Sequence, residues 1–186
     1  MLTIICSNTA HAHLINDVLG YYGPAFRAWL DQDNTRIVVL KPNELYRDAS
    51  PCLRQYNVDD WPVAPAGLFC VPEATVYIRT LCRMTIAHEV VHAYDRARGS
   101  GAYFSAADPT VRRLFSEARN FVTPYAAVSI DEWFAECGRA LNGSGNNPQS
   151  PWPEATPQRL AECDPSMYEY MSTLIAQPPA RESVAA

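Results

Sequence analysis

Residues 84–97 constrain this chain more than any other stretch. Met84, Ile86, Ala87, Val90, Val91, Ala93, Tyr94 and Ala97 recur at helical spacing and project onto one contiguous arc of about half the helical wheel. A helix with so wide an apolar arc reads as a core helix, with only a narrow stripe left for polar groups. Thr85, His88, Glu89, His92 and Asp95 fall on that stripe. Arg83 and Arg98 interrupt the arc only near its ends, where long side chains can snorkel. Thr80 as N-cap and Gly99 as C-terminal stop predict a helix over about residues 81–98.

The stripe carries chemistry. His88 and His92 are half of the chain's four histidines and enclose the phrase His88-Glu89-Val90-Val91-His92. Residues four apart sit one turn apart on one helix face, so both imidazoles can reach a single metal ion. Glu89 projects about 100° round the helix from His88. It can stand beside a metal-activated water without ligating the metal, as a general base should. On a helix, H-E-x-x-H is the signature of a zinc peptidase site.

Composition excludes several classes. A chain of 186 residues, 48% hydrophobic, is long enough for one domain with a sizeable core. A net charge of −5 argues against a nucleic-acid partner. No apolar run approaches a membrane span, so no membrane partner is expected. Met1–Cys6 lacks the basic and long apolar regions of a signal peptide, which predicts a cytoplasmic chain, with secretion or delivery as the alternative if a leader has been removed. The six cysteines form no C-x-x-C pair and are expected to be mostly reduced.

The pattern predicts strands at 2–6, 36–41, 67–71 and 75–79, the last two forming a hairpin around Pro72-Glu73-Ala74. Helices are expected over about 10–20, 109–121 (Asp108 as N-cap, Pro109 at the first position), 130–141 and 166–176. Residues 42–66, with four prolines, and 143–157 read as loop. One domain over 1–176 and a flexible tail over 177–186 complete the expectation.

Catalytic zinc usually has three protein ligands and an open position. His11 and His13 lie two apart at a helix start, share no face and read as exposed polar residues. Glu132 is the better source. It forms a polar stripe with Glu136 and Arg139, opposite Ile130, Phe134, Cys137 and Leu141. Ser129 with Glu132 also matches a capping box, and Asp131 suits the first turn of a helix. The ligand reading of Glu132 is preferred because the histidine pair needs a partner.

With these residues in view, the chain resembles the gluzincin peptidases. More narrowly, Tyr125 seven residues before Glu132, within Glu132-Trp133-Phe134-Ala135-Glu136, resembles the catalytic domain of anthrax lethal factor and the related Pro-Pro endopeptidases. The segment Asp164–Met171 looks like that group's closing helix, and the resemblance covers roughly residues 67–175. It implies an α+β, zincin-like fold: a small mixed β-sheet with an edge strand beside the active-site helix, then a mainly helical C-terminal half. It implies one Zn²⁺ held by His88, His92 and Glu132, Glu89 as base and Tyr125 across the substrate carbonyl. Glu136 would orient a ligand histidine. The implied activity is zinc-dependent endopeptidase, with Pro-Pro sites suggested by the resemblance alone.

Thr75, Tyr77 and Arg79 are candidate substrate-binding positions if their strand is an edge to which a peptide adds. Trp133, Trp61 and Tyr77 are aromatic candidates for a pocket. The expected partner is a peptide or protein substrate, and a monomer is favoured. Two other functions stay open: a zinc protein that sequesters a partner without hydrolysis, and a zinc hydrolase of a non-peptide amide.

Overall fold

The computed structural model describes residues 1–144 and 155–180. Four short strands, β1 (Thr3–Ile5), β2 (Arg36–Val39), β3 (Gly67–Cys70) and β4 (Thr75–Ile78), form one sheet in the order β1-β2-β4-β3. β1, β2 and β4 run parallel, and β3 pairs antiparallel to β4 on the outside. The β3–β4 hairpin is the predicted one, closed by a turn over Val71–Glu73 with Ala74 at φ 48°. The expected α+β class holds, and the C-terminal half is mainly helical.

Period-two alternation gives the sheet two different faces. Ile37, Val76 and Ile78 point into the main core, against α1 (Thr9–Tyr22), α2 (Pro24–Gln32) and α5 (Arg83–Arg98). Tyr77 and Cys70 point the other way. There they meet Tyr46 of α3 (Tyr46–Ala49), Leu53 of α4 (Pro51–Gln55) and Val58 in a smaller cluster. The segment expected to be loop over 42–66 therefore contributes two short helices that cover the second face. Ser50 caps α4 by accepting from the Leu53 N–H at 3.0 Å, and Pro51 occupies its first turn.

α5 is the predicted central helix with a later start. Its cap is Cys82, not Thr80: the Arg79 and Thr80 N–H groups still donate to the Ala66 carbonyl, which keeps the chain extended for two more residues. Its polar stripe is more buried than the wheel suggests, with Thr85, Glu89, His92 and Asp95 all enclosed. Asp95 is held by the Ser105 N–H at 2.7 Å and hydroxyl at 2.5 Å. Burial pushes its carboxyl up to about 6.

After α5 come α6 (Phe104–Ala107), α7 (Pro109–Glu117), α8 (Ile130–Asn142), α9 (Pro157–Cys163) and α10 (Pro165–Ala176). Asp108 caps α7 as expected, but that helix stops at Glu117 rather than near 121. The predicted loop over 143–157 falls largely outside the described residues, as does the end of the predicted tail, 181–186.

α5 and α8 make the most extensive contact between helices. Gly138 allows it: a Cβ there would lie 2.7 Å from both Val91 methyl carbons. Val91 has little rotamer freedom in a helix, so the helices themselves would have to part. Gly138→Ala should cost about 1–3 kcal/mol of unfolding free energy, as overpacking does. Equilibrium urea denaturation checks this, and an unchanged midpoint would show that α8 shifts freely.

Candidate metal centre

α5 and α8 cross so that their polar stripes face each other. His88 Nε2 lies 3.1 Å from His92 Nε2 and 3.1 Å from Glu132 Oε2. His92 Nε2 lies 3.3 Å from the same Glu132 oxygen. A regular tetrahedron around zinc with ligand distances of 2.0–2.1 Å has edges of about 3.3 Å. The three atoms thus form a triangle of the right size for one face of such a site. Glu132 Oε2 is buried without a hydrogen-bond partner, although two imidazole nitrogens stand over it. That unmet acceptor is what a shared cation would satisfy, and two nitrogens with one oxygen form a donor set that suits zinc.

Ser129 and Glu132 resolve a choice the sequence left open. The Ser129 hydroxyl caps α8 by accepting from the Glu132 N–H at 3.3 Å. The Glu132 carboxylate does not return to the cap but turns to the histidines. Only the Ser129 half of the capping box forms, which leaves the Glu132 side chain facing the histidines. The acidic first turn of α8 also contains Asp131, as expected.

Glu136, one turn further on, accepts from His88 Nδ1–H at 2.8 Å. This bond fixes the ring and directs the Nε2 lone pair of a neutral His88 toward the cluster. Glu136 is itself tied down by the Thr123 hydroxyl at 2.6 Å and by Arg139, whose Nε and Nη2 donate at 2.8 and 2.6 Å. Both Arg139 and Glu136 are buried. Burial opposes charge on Glu136, but His88 and Arg139 bring its pKa down to about 2.

The surrounding field favours a positive charge. Burial works against a charged His88, yet Glu132 and Glu136 on either side push its pKa up to about 10. Burial likewise opposes ionisation of Glu132, and the two imidazoles outweigh it to hold that carboxyl far below its ordinary value. Glu89 is different. It is 7% exposed, and burial raises its pKa above the ordinary carboxylate value. A carboxylate made more basic in this way is suited to taking a proton.

The Tyr125 hydroxyl donates to Glu132 Oε1 at 2.8 Å, and its ring lies 5.9 Å from that of His88. Tyr125 begins a short turn over 125–127 between α7 and α8, so it reaches the cluster from a third segment. A cleft of about 400 Å³ opens beside these groups. His88, Glu89 and Tyr125 line it together with Val63–Gly67. β3 lies close over α5 here: a Cβ on Gly67 would come within 2.6 Å of Thr85 Cγ2 and 2.9 Å of Glu89 Cγ.

The expected substrate contacts need correction. Thr75–Arg79 is not an edge, because β4 lies between β2 and β3; the outer strand beside the site is β3. Thr75 is fully buried and donates its hydroxyl to the Glu73 carbonyl at 2.8 Å. Tyr77 faces the opposite side of the sheet, and Arg79 is paired with Asp59 and stacked on Tyr46. Trp133 is fully buried against Phe115 and cannot line a pocket. Trp61, by contrast, is half-exposed. His11 and His13 lie in the first turns of α1 and are not part of the cluster.

Two contributors carry no signal in the sequence, and Arg139 shows there only its place on the polar stripe. Thr123 has no periodicity to mark it. Tyr103, whose ring lies 5.7 Å from His92, enters from the loop after α5 and carries no motif.

No model of a known protein family matches this chain, and no curated protein matches it. Among solved structures, its fold is similar to that of the Pro-Pro endopeptidase PPEP-2 from Paenibacillus alvei, with a TM-score of 0.65. The match covers 92% of this chain and 96% of the other at 16% sequence identity. At that identity the likeness is one of fold: the chain shares the architecture of a Pro-Pro endopeptidase.

Proposed function

We propose that this chain is a zinc-dependent endopeptidase, with His88, His92 and Glu132 holding one zinc ion. The observation that carries the reading is the triangle of their three donor atoms, 3.1, 3.1 and 3.3 Å on its edges. Zinc, when bound, acidifies water and polarises a carbonyl. Glu89 takes the proton of the attacking water and returns it to the leaving amine. The Tyr125 hydroxyl, held beside Glu132, donates to the oxyanion that develops on the substrate. Glu136 keeps His88 in one tautomer and orientation throughout.

A peptide is the favoured substrate because β3 is an outer strand whose first residue, Gly67, lines the cleft, and an extended chain can add to such a strand. Cleavage at Pro-Pro sites is the finer part of the proposal. It draws on the phrase Glu132–Glu136 with Tyr125 and on the fold shared with PPEP-2.

Glu132→Ala tests the donor set. It should lose most bound zinc at neutral pH while α8 still forms, since the cap uses the backbone of residue 132 and alanine is a good helix former. Elemental analysis after dialysis reads the stoichiometry. Full stoichiometry with undiminished affinity would refute the assignment.

Tyr125→Phe tests the oxyanion role by deleting only the hydroxyl. The expected result is a kcat lower by roughly 10²-fold or more, with little change in KM, Tm or zinc content. A lower Tm with normal kcat would mean that the hydroxyl only braces Glu132.

A further inference from the structure

The sheet face turned away from His88 and His92 carries a second group of reactive side chains, which the proposed catalysis does not use. Cys52 sits in the first turn of α4, Cys70 at the end of β3, and Glu73 in the turn that follows. The two sulfurs and a Glu73 carboxylate oxygen all lie within 4.8 Å of one another. Cys70 is buried, whereas Cys52 and Glu73 are partly exposed. Cys70 thus has the Cys52 sulfur and the Glu73 carboxylate as close neighbours on this face of the sheet.

The carboxylate is fixed from several sides. The Ser50 hydroxyl donates to its two oxygens at 2.8 and 2.9 Å, the Tyr77 hydroxyl at 2.6 Å and the Cys52 N–H at 3.3 Å. These donors hold an anionic oxygen against a buried thiol. Burial, the Cys52 contact and the Glu73 charge together push the Cys70 thiol up to about 12. Cys70 can therefore act as a nucleophile only if its proton leaves as it attacks. The Glu73 carboxylate is the anionic group within reach, although burial is outweighed there by the Tyr77 and Ser50 donors, which hold its pKa below the ordinary value.

We propose that Cys52 and Cys70 are a redox-active dithiol, modified by low-molecular-weight disulfides such as glutathione disulfide, with Glu73 receiving the proton of the buried thiol. The Cys52 thiolate attacks the glutathione disulfide, forming a Cys52–glutathione mixed disulfide and releasing one glutathione. Cys70 then attacks the Cys52 sulfur while its proton passes to Glu73. The Cys52–glutathione bond breaks, and the second glutathione leaves as a thiolate that takes a proton from solvent. Cys52 loses its proton to solvent on forming the thiolate, and Glu73 releases the Cys70 proton to solvent afterwards. In sum the protein gives up two electrons and two protons, and glutathione disulfide gains both.

The new bond ties α4 to the outer strand and closes a loop that includes Val63–Gly67, which line the cleft together with Glu89. Any effect on turnover rests on the peptidase reading; the thiol chemistry does not.

The test equilibrates the full chain with mixtures of reduced and oxidised glutathione, alkylates the remaining thiols and maps the products by mass spectrometry. The expected result is a reversible Cys52–Cys70 linkage, with protease cutting within 56–66 slowed about tenfold in the oxidised form. Cys70→Ala should stop at the Cys52 mixed disulfide. Glu73→Gln should accumulate the same adduct, which loss of a merely structural contact would not produce. Cys52 and Cys70 both remaining alkylatable under strongly oxidising glutathione would overturn the proposal. So would protection of both by Zn²⁺ alone, with a second equivalent bound, since that would make the cluster a metal site. None of these readouts depends on peptide cleavage, so failure here and failure of the peptidase reading are separable.

Discussion

Glu89→Ala is expected to keep the fold and one zinc per chain and to lose nearly all turnover. Glu89 lies on α5 between the two histidines in sequence, but its carboxylate is outside the triangle of donor atoms and lines the cleft. Burial raises its pKa, which moves a carboxylate toward the range where it can both take and return a proton near neutrality. General bases contribute typically about 10²- to 10⁴-fold, and alanine fits a helix interior without strain. Steady-state kinetics beside zinc analysis and a thermal melt check the result. Retention of a tenth of wild-type turnover would exclude Glu89 as the base.

Arg139→Met is expected to have the largest effect on stability. The Arg139 side chain is 1% exposed and grips the Glu136 carboxylate with two nitrogens. Methionine retains much of the apolar volume but leaves a buried anion without its main countercharge. Breaking one side of a buried pair typically costs about 3–5 kcal/mol. The linkage has a definite sign. Because the folded pKa of Glu136 is depressed, its stabilisation is fully present above the unfolded carboxylate value of 4.5 and is lost as pH falls toward about 2. The deficit of Arg139→Met should therefore be large at pH 7 and shrink as pH falls through that window. Urea denaturation at several pH values reads this. Adding Glu136→Gln should recover part of the loss at pH 7. A deficit below about 1 kcal/mol at pH 7 would show that solvent or another cation serves Glu136.

The centre of the fold could be read from sequence because its signals reinforce one another. The apolar arc of α5, the i,i+4 histidines and the Glu132–Glu136–Arg139 stripe each specify which side of a helix faces the other. Caps at Ser129 and Asp108 then fix where two of the helices begin. What failed was information about neighbours. An apolar strand such as Thr75–Ile78 has the same pattern whether interior or outer, so whether β4 is an edge stays conditional in the sequence; the outer strand is β3. Trp133 stands beside a proposed ligand in sequence, but one step along a helix turns it by about 100°, into the core.

Prolines misled in a particular way. No helix is expected between residues 20 and 36, yet Pro24 begins α2, and Pro51 begins α4 inside a stretch that reads as loop. Proline at the first helical position sacrifices no hydrogen bond, so it can mark an entry as well as an end. Tyr103 and Thr123 were invisible because irregular segments carry them to the site, and no spacing rule reaches across such segments.

If the metal triad, the base and the cleft act together as a peptidase, digestion of a diverse peptide library with zinc-loaded protein, read by sequencing the new termini by mass spectrometry, should show internal cleavage. A chelator should abolish it and added zinc restore it, with proline-rich sites among those cut. No new termini from a folded chain carrying one zinc would contradict the peptidase reading.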